Sequence, residues 1–167
     1  MIDYRETEKI IVNGLQEWLK SKGYDRPVIR SNQTAPVPDY PYLSYTITTA
    51  VMADMKGYSI AEDGTRYKPF AQVWSFTAQA ESAVDSFELA MLAYDWFALT
   101  GNTYLNDNNI VVQRVGNINN RDNLITIEYE NRHGFDVEFT LTHILDKTDC
   151  ETAGYINSAE ITPIKEV

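Results

Sequence analysis

The chain is poor in the residues that most small-protein chemistry relies on. Its 167 residues include one cysteine, Cys150, and two histidines, His133 and His143. A single cysteine closes no internal disulfide, which excludes a cysteine-stapled secreted fold and points to a reducing compartment. No apolar run approaches 18 residues, so no transmembrane helix and no membrane partner are expected. The segment Met1-Ile2-Asp3-Tyr4-Arg5-Glu6 reads as neither a basic leader nor an apolar signal segment. Cations are scarce: 14 Lys+Arg stand against 24 Asp+Glu, a formal net charge of −10. That balance argues against nonspecific binding to nucleic acid, which needs a cation excess to release counterions from phosphates. The eight glycines are scattered, and none has the spacing of a phosphate loop or dinucleotide-binding turn. A nucleophile elbow is also missing.

What is abundant is tyrosine, 11 residues, beside six Phe and three Trp. Tyrosine suits half-buried positions and subunit interfaces, where one end of the ring is apolar and the other wet. The length predicts one domain over 1–167. A chain of this size can bury roughly 70% of its surface, enough for a core without metals or staples.

The periodicity predicts an order α, β, β, α, β, β, β. Asp3 and Glu6 have capping-box spacing. Ile11, Leu15, Trp18 and Leu19 then share one helix face, and Gly23 follows Lys20 and Lys22 as a helix stop. Residues 24–41 hold Pro27, Pro36, Pro38 and Pro41 and read as an extended, ordered arm in which only Val28-Ile29-Arg30 suits a strand. Strand alternation runs over 42–51 and again over 69–79, where Phe70, Trp74, Phe76 and Ala78 share a face. The 52–68 connection, with an Asp63-Gly64 turn, is either an extended hairpin tip or a functional loop. Ser82 is an N-cap for a helix that is apolar from Phe87 to Leu99 and ends at Gly101. Apolar on most of its circumference, this helix is expected to pack on the sheet and on a second element or another subunit. Strands follow over 110–115, 124–130 and 135–145, the last two joined by a turn at Asn131-Arg132-His133-Gly134. The fold class is α+β: a mostly antiparallel sheet packed by two main helices on one face.

Neither histidine has a second His or Cys at ligand spacing, so His133 reads as a turn residue and His143 as a sheet-edge residue. Cys150 lies among acids in Asp146-Lys147-Thr148-Asp149-Cys150-Glu151, which opposes thiolate formation. The same acids offer a divalent-cation site or, more simply, a solvated charge run. Asn106-Asp107-Asn108-Asn109 lacks the glycine and glutamate of a calcium loop and reads as a helix-to-strand turn. The basic and aromatic run Arg66-Tyr67-Lys68 suits contact with an acidic neighbour better than with nucleic acid. No catalytic, cofactor or metal residue is assigned. Function is expected to reside in surfaces, and the contact candidates are Pro36, Tyr40, Met52, Met55, Tyr58, Arg66, Tyr67 and Lys68.

A series of segments then carries a family likeness. It comprises Pro41-Tyr42-Leu43-Ser44-Tyr45-Thr46-Ile47-Thr48-Thr49, Gln72-Val73-Trp74-Ser75-Phe76-Thr77, Asp95-Trp96-Phe97, Ile110-Val111-Val112, Arg121-Asp122 and Tyr129-Glu130-Asn131-Arg132-His133-Gly134-Phe135-Asp136-Val137. In this order, over about 5–145, the series resembles the neck or tail terminator proteins of long-tailed bacteriophages. Its most specific piece is Arg132-x-Gly134-Phe135-Asp136-Val137. The resemblance implies a structural virion protein with no cofactor, assembled in the host cytoplasm. It implies a homo-oligomeric ring, usually a hexamer, on the head-proximal end of the tail tube. The ring would stop tube growth and dock to the head connector or head-closure protein, with a sheath's terminal ring as a further partner. DNA would pass through its lumen without specific binding, a use that suits an acidic surface. The residues themselves favour structural roles: Gly134 for a positive φ in the turn, Phe135 and Val137 for core, and Asp136 for solvent or a pair with Arg132 or Arg121. Two other readings are another phage connector protein and, more distantly, a small cytoplasmic enzyme or ligand-binding domain with an acidic site at 146–151.

Overall fold

Alternation along the chain becomes a sheet with one apolar and one polar face. A computed structural model describes residues 4–25, 27–31, 36–52, 57–125 and 128–148. Its strands are β1 (Val28–Arg30), β2 (Tyr42–Met52), β3 (Ser59–Ile60), β4 (Arg66–Ala80), β5 (Val111–Val115), β6 (Asn119–Asn120), β7 (Asn123–Ile125) and β8 (Glu128–Leu145). The main path runs β1-β2-β4-β8-β5, with β3 on β4 and both β6 and β7 on β8. Every pairing is antiparallel except β1 with β2. The class is α+β, as the patterning implied.

Register sorts the faces. Ile47, Trp74 and Val137 lie abreast, as do Tyr45, Phe76 and Phe135. Trp74, Phe76, Phe135, Val137, Phe139 and Leu141 are all buried on this side. Rings pack across it: Phe76 and Phe97 are tilted with centroids 4.7 Å apart, and Tyr45 and Trp74 stack at 5.3 Å. Each such ring contributes roughly 1.5–3 kcal/mol by leaving water. The opposite face carries Thr46, Ser75, Thr77, Asp136 and Glu138, the usual division for an antiparallel sheet with one wet side.

Helices cover the apolar face. In α1 (Tyr4–Ser21), Ile11, Leu15 and Leu19 are buried, and the helix ends on Gly23 at φ +95°. There the Tyr24 and Gly23 N–H groups donate to Leu19 O and Lys20 O, a Schellman closure. The capping residue proposed at Asp3 lies outside the described residues. In α2 (Ala83–Asp95), Ser82 caps as expected, its side chain accepting from Asp85 N at 3.1 Å. A π-helical turn, Trp96–Thr100, continues α2, and its Trp96 and Phe97 are buried core. Gly101 stops it at an ordinary φ of −85°; a Cβ there would fall 2.5 Å from the Trp96 indole. A short third helix, α3 (Asn102–Asp107), follows and was not foreseen. Asn109, at φ 59°, then turns the chain into β5, so of the asparagine run Asn108 and Asn109 make the helix-to-strand turn, while Asn106 and Asp107 close α3.

Two expectations are overturned. First, Asn131-Arg132-His133-Gly134 is not a turn. These residues lie within β8, which runs unbroken for 18 residues, and all four of them pair with β4. The reversal sits earlier, between Ile125 and Glu128, which pair with each other. Polar residues with one glycine look like a turn locally, but the unbroken ladder along β4 outweighs that composition. Second, Arg66, Tyr67 and Lys68 are not loop residues: β4 begins at Arg66. Within the 52–68 connection, β3 folds back on the start of β4 as a hairpin tip. It is tightened by Ala61 N to Thr65 O, Thr65 N to Asp63 Oδ1, and Gly64 at φ +88°.

Candidate interaction surfaces

The family-like segment Arg132–Val137 organises two latches. The first is on the polar sheet face. Arg121 donates from Nη1 to Ser75 Oγ at 2.6 Å and Thr77 Oγ1 at 3.0 Å, and from Nη2 to Asp136 Oδ1 at 2.9 Å. Ser75 Oγ also donates to Asp136 Oδ1 at 2.6 Å. Burial pushes the Asp136 carboxyl up, but the bonds from Ser75 and Arg121 and the Arg121 charge outweigh it and hold its pKa below the usual range. Of the two partners considered for Asp136, Arg121 is the one found. The arginine crosses directly over Gly134, where a Cβ would fall 2.8 Å from Nη1, 2.9 Å from Cδ and 2.6 Å from Phe76 O. Gly134 therefore serves close approach. The expected positive φ is absent: among the described residues the positive-φ glycines are Gly23, Gly57 and Gly64. Phe135 and Val137 are core, as expected.

The second latch ties the Pro-rich arm to β8. Tyr40 OH donates to Glu130 Oε1 at 2.9 Å, and Arg132 grips Glu130 Oε2 through Nε and Nη2. Glu130 is only 7% exposed, so this pairing is what permits its charge to be buried. Tyr40 also stacks on Tyr42, centroids 5.6 Å apart, beside the cis Tyr40–Pro41 bond. Burial and the bond to Glu130 push the Tyr40 phenol up to about 12. Tyr40 is thus an internal latch as well as a surface ring, and Pro36 stands exposed at the start of this arm segment. The Arg132 N–H, meanwhile, donates to Asp122 Oδ1 at 2.7 Å. That bond, with another from Asn120, holds Asp122 below the usual carboxylate range.

The remaining contact candidates gather at the far end of the sheet. There β3, the start of β4 and the end of β8 form a ribbon: Ile60 pairs with Arg66, and Arg66 with Leu145. Tyr58 and Ile60 are 59% and 58% exposed, and the Arg66 guanidinium lies 5.6 Å over the Tyr58 ring. Lys68 is exposed, Tyr67 is half-buried opposite Ile144, and Met52 ends β2 opposite Ala71. Met55 lies outside the described residues. Ile60 was not picked out from the sequence, although its β-branched side chain beside a turn is a usable signal.

A second apolar surface was also missed. Along α2, Val84 and Phe87 are exposed and Met91 is half-exposed, and Phe87 and Met91 border an open groove with Tyr24, Glu88 and Asp95. The apolar helix run was read correctly as covering more than the sheet face. One side meets α1, where Trp18 Nε1 donates to Leu92 O at 3.2 Å. The Val84–Phe87–Met91 side is left open. His133, expected in a turn, stands on β8 against this helix: its Nδ1 is 2.7 Å from Ser86 Oγ, and its ring meets Phe87 edge-on. Among the described residues no group of three His, Cys, Asp or Glu side chains is placed to hold a metal, and no helix is long and apolar enough to cross a membrane. Cys150 lies outside the described residues, with Asp149 and Glu151 of the acidic run at 146–151.

A family model described as phage neck terminator protein matches residues 9–167, nearly the whole chain. No curated protein matches it.

Proposed function

The chain belongs to the phage neck terminator family, a family of structural proteins of the virion neck, and from that premise we propose that it forms a ring, six copies in the family pattern, on the head-proximal end of the tail tube. The ring stops tube growth by presenting a surface that the next tube subunit does not match. Its other face receives the head connector or head-closure protein, and a sheath's terminal ring is a further partner. Assembly takes place in the host cytoplasm, and 1–167 acts as one terminator domain. The observation that carries this reading is the family match together with a stiff sheet whose ends bear grouped, exposed apolar side chains. Such groups mark association surfaces on a folded protein. The long ladder between β4 and β8 and the two latches hold those ends in fixed relation, which a capping ring requires. The net charge of −10 keeps the lumen from retaining DNA, with acidic side chains outnumbering basic ones there.

Electron microscopy of particles made without this protein tests the function. Overlong tails, or heads and tails left unjoined, are expected; normal virions refute it. A ring reconstruction with a basic lumen would remove the proposed use of the charge.

A further inference from the structure

We propose that the ribbon tip of one copy docks into the α2 groove of the next, and that this head-to-tail contact closes the ring. The inference rests on the ring reading above and adds which surfaces meet. The two surfaces lie at opposite ends of the same strands. Arg66 opens β4 at the tip, whereas Ala78, twelve residues on, pairs with His133, the residue in edge contact with Phe87. Twelve strand residues span roughly 40 Å. A tip therefore cannot fill the groove of its own chain, and a second copy can.

Chemistry matches across the two. The tip offers Tyr58 and Ile60, and the groove offers Phe87 and Met91. Arg66 and Lys68 stand on the same sheet face and have no carboxylate partner among the described residues. The groove is edged by Glu88 and Asp95, and its one base among the described residues, Lys22, is turned over the Trp18 ring at 4.3 Å. The tip has acids of its own: Asp63, occupied by Thr65 N, Glu62 beside it, and Asp146, which follows the Leu145 paired with Arg66. Two different surfaces meeting make a heterologous contact, the kind that generates rings when the rotation closes.

Charge reversal tests the contact, read by size-exclusion chromatography with light scattering. One variant carries Arg66→Glu and Lys68→Glu, the other Glu88→Lys and Asp95→Lys. Each alone sets like charges against each other and should raise the assembly midpoint by at least about tenfold. An equimolar mixture should assemble again, because reversed tips meet reversed grooves and native tips meet native grooves in alternation. Circular dichroism and thermal melting check the fold. If a double variant fails to fold, Ile60→Lys and Phe87→Lys, both at exposed positions, replace it and should each lower assembly. Loss of assembly in the tip variant alone would mean a tip-to-tip contact and overturn the proposal. So would wild-type assembly in both variants, or a mixture that stays dispersed. A wild-type chain that remains monomeric at its highest soluble concentration would also overturn it, while tail length in particles lacking the protein still decides the terminator reading.

Discussion

Replacing Gly134 with alanine should destabilise the protein, against the usual sign. In an ordinary strand interior, alanine in place of glycine gains about 0.5–1 kcal/mol through the unfolded chain. Here the added Cβ would meet Phe76 O at 2.6 Å and Arg121 at 2.8 and 2.9 Å. Phe76 O belongs to the backbone of the neighbouring strand and cannot step aside without moving the ladder. Overpacking of this kind costs roughly 1–3 kcal/mol. Pushing Arg121 off Ser75, Thr77 and Asp136 adds about 1 kcal/mol, a discounted figure because the Arg121 and Asp136 side chains remain 29% and 54% exposed. Less the unfolded-chain gain, the expected net loss is about 1–3.5 kcal/mol, or a melting temperature lower by roughly 3–12 °C. Urea unfolding measures it, with a shifted midpoint and an unchanged slope. In an Arg121→Ala background two of the three close atoms are gone, so the same change should cost about 1 kcal/mol less. A neutral or stabilising Gly134→Ala would refute the reasoning, and strict additivity with Arg121→Ala would show that the arginine does not lie over the glycine.

The other predictions concern caps and titrations. Ser82→Ala removes the acceptor for Asp85 N and should cost about 1 kcal/mol in urea unfolding; an unchanged midpoint would deny the cap any weight. Asp136 and Asp122 have depressed folded pKa values, so their stabilisation is complete above the unfolded carboxyl range near about 4 and is lost as pH falls through the folded values. Asp136→Asn should accordingly flatten the acid limb of a melting-temperature profile, and a superimposable limb would contradict the Arg121 latch. Tyr40 ionises at about 12 in the fold, so its contribution is complete below about pH 10 and is lost as pH rises toward that value. In an ultraviolet titration Tyr40→Phe should remove amplitude from the late-ionising tyrosines and leave the early ones unchanged.

Legibility followed the range of the interactions. The faces of β2, β4 and β8 were readable because a period of two needs only neighbours in sequence, and Trp74, Phe76, Phe135 and Val137 fell where the alternation put them. The caps at Ser82 and Gly23 were readable for the same reason. Composition misled where it competed with a distant partner. Asn131 to Gly134 looks like a turn, yet each residue has a place opposite β4. Arg66 to Lys68 looks like a loop until β3 and β8 pair with it. Phe87 was counted with the buried helix run because a pattern shows that a helix is apolar all round without showing which side finds a cover.

The sequence by itself therefore determined an acidic, cysteine-poor α+β chain, its core faces, its helix ends and its terminator likeness. All but the likeness rest on composition and on spacings of a few residues; the likeness rests on a series of segments in order from Pro41 to Val137. Only the tertiary structure decided that Gly134 makes room for Arg121, that Asp136 answers Arg121 and not Arg132, and that Glu130 is buried between Tyr40 and Arg132. Each joins residues that are near in space but held there by strand register. Register is set by the whole ladder, so no local window contains it.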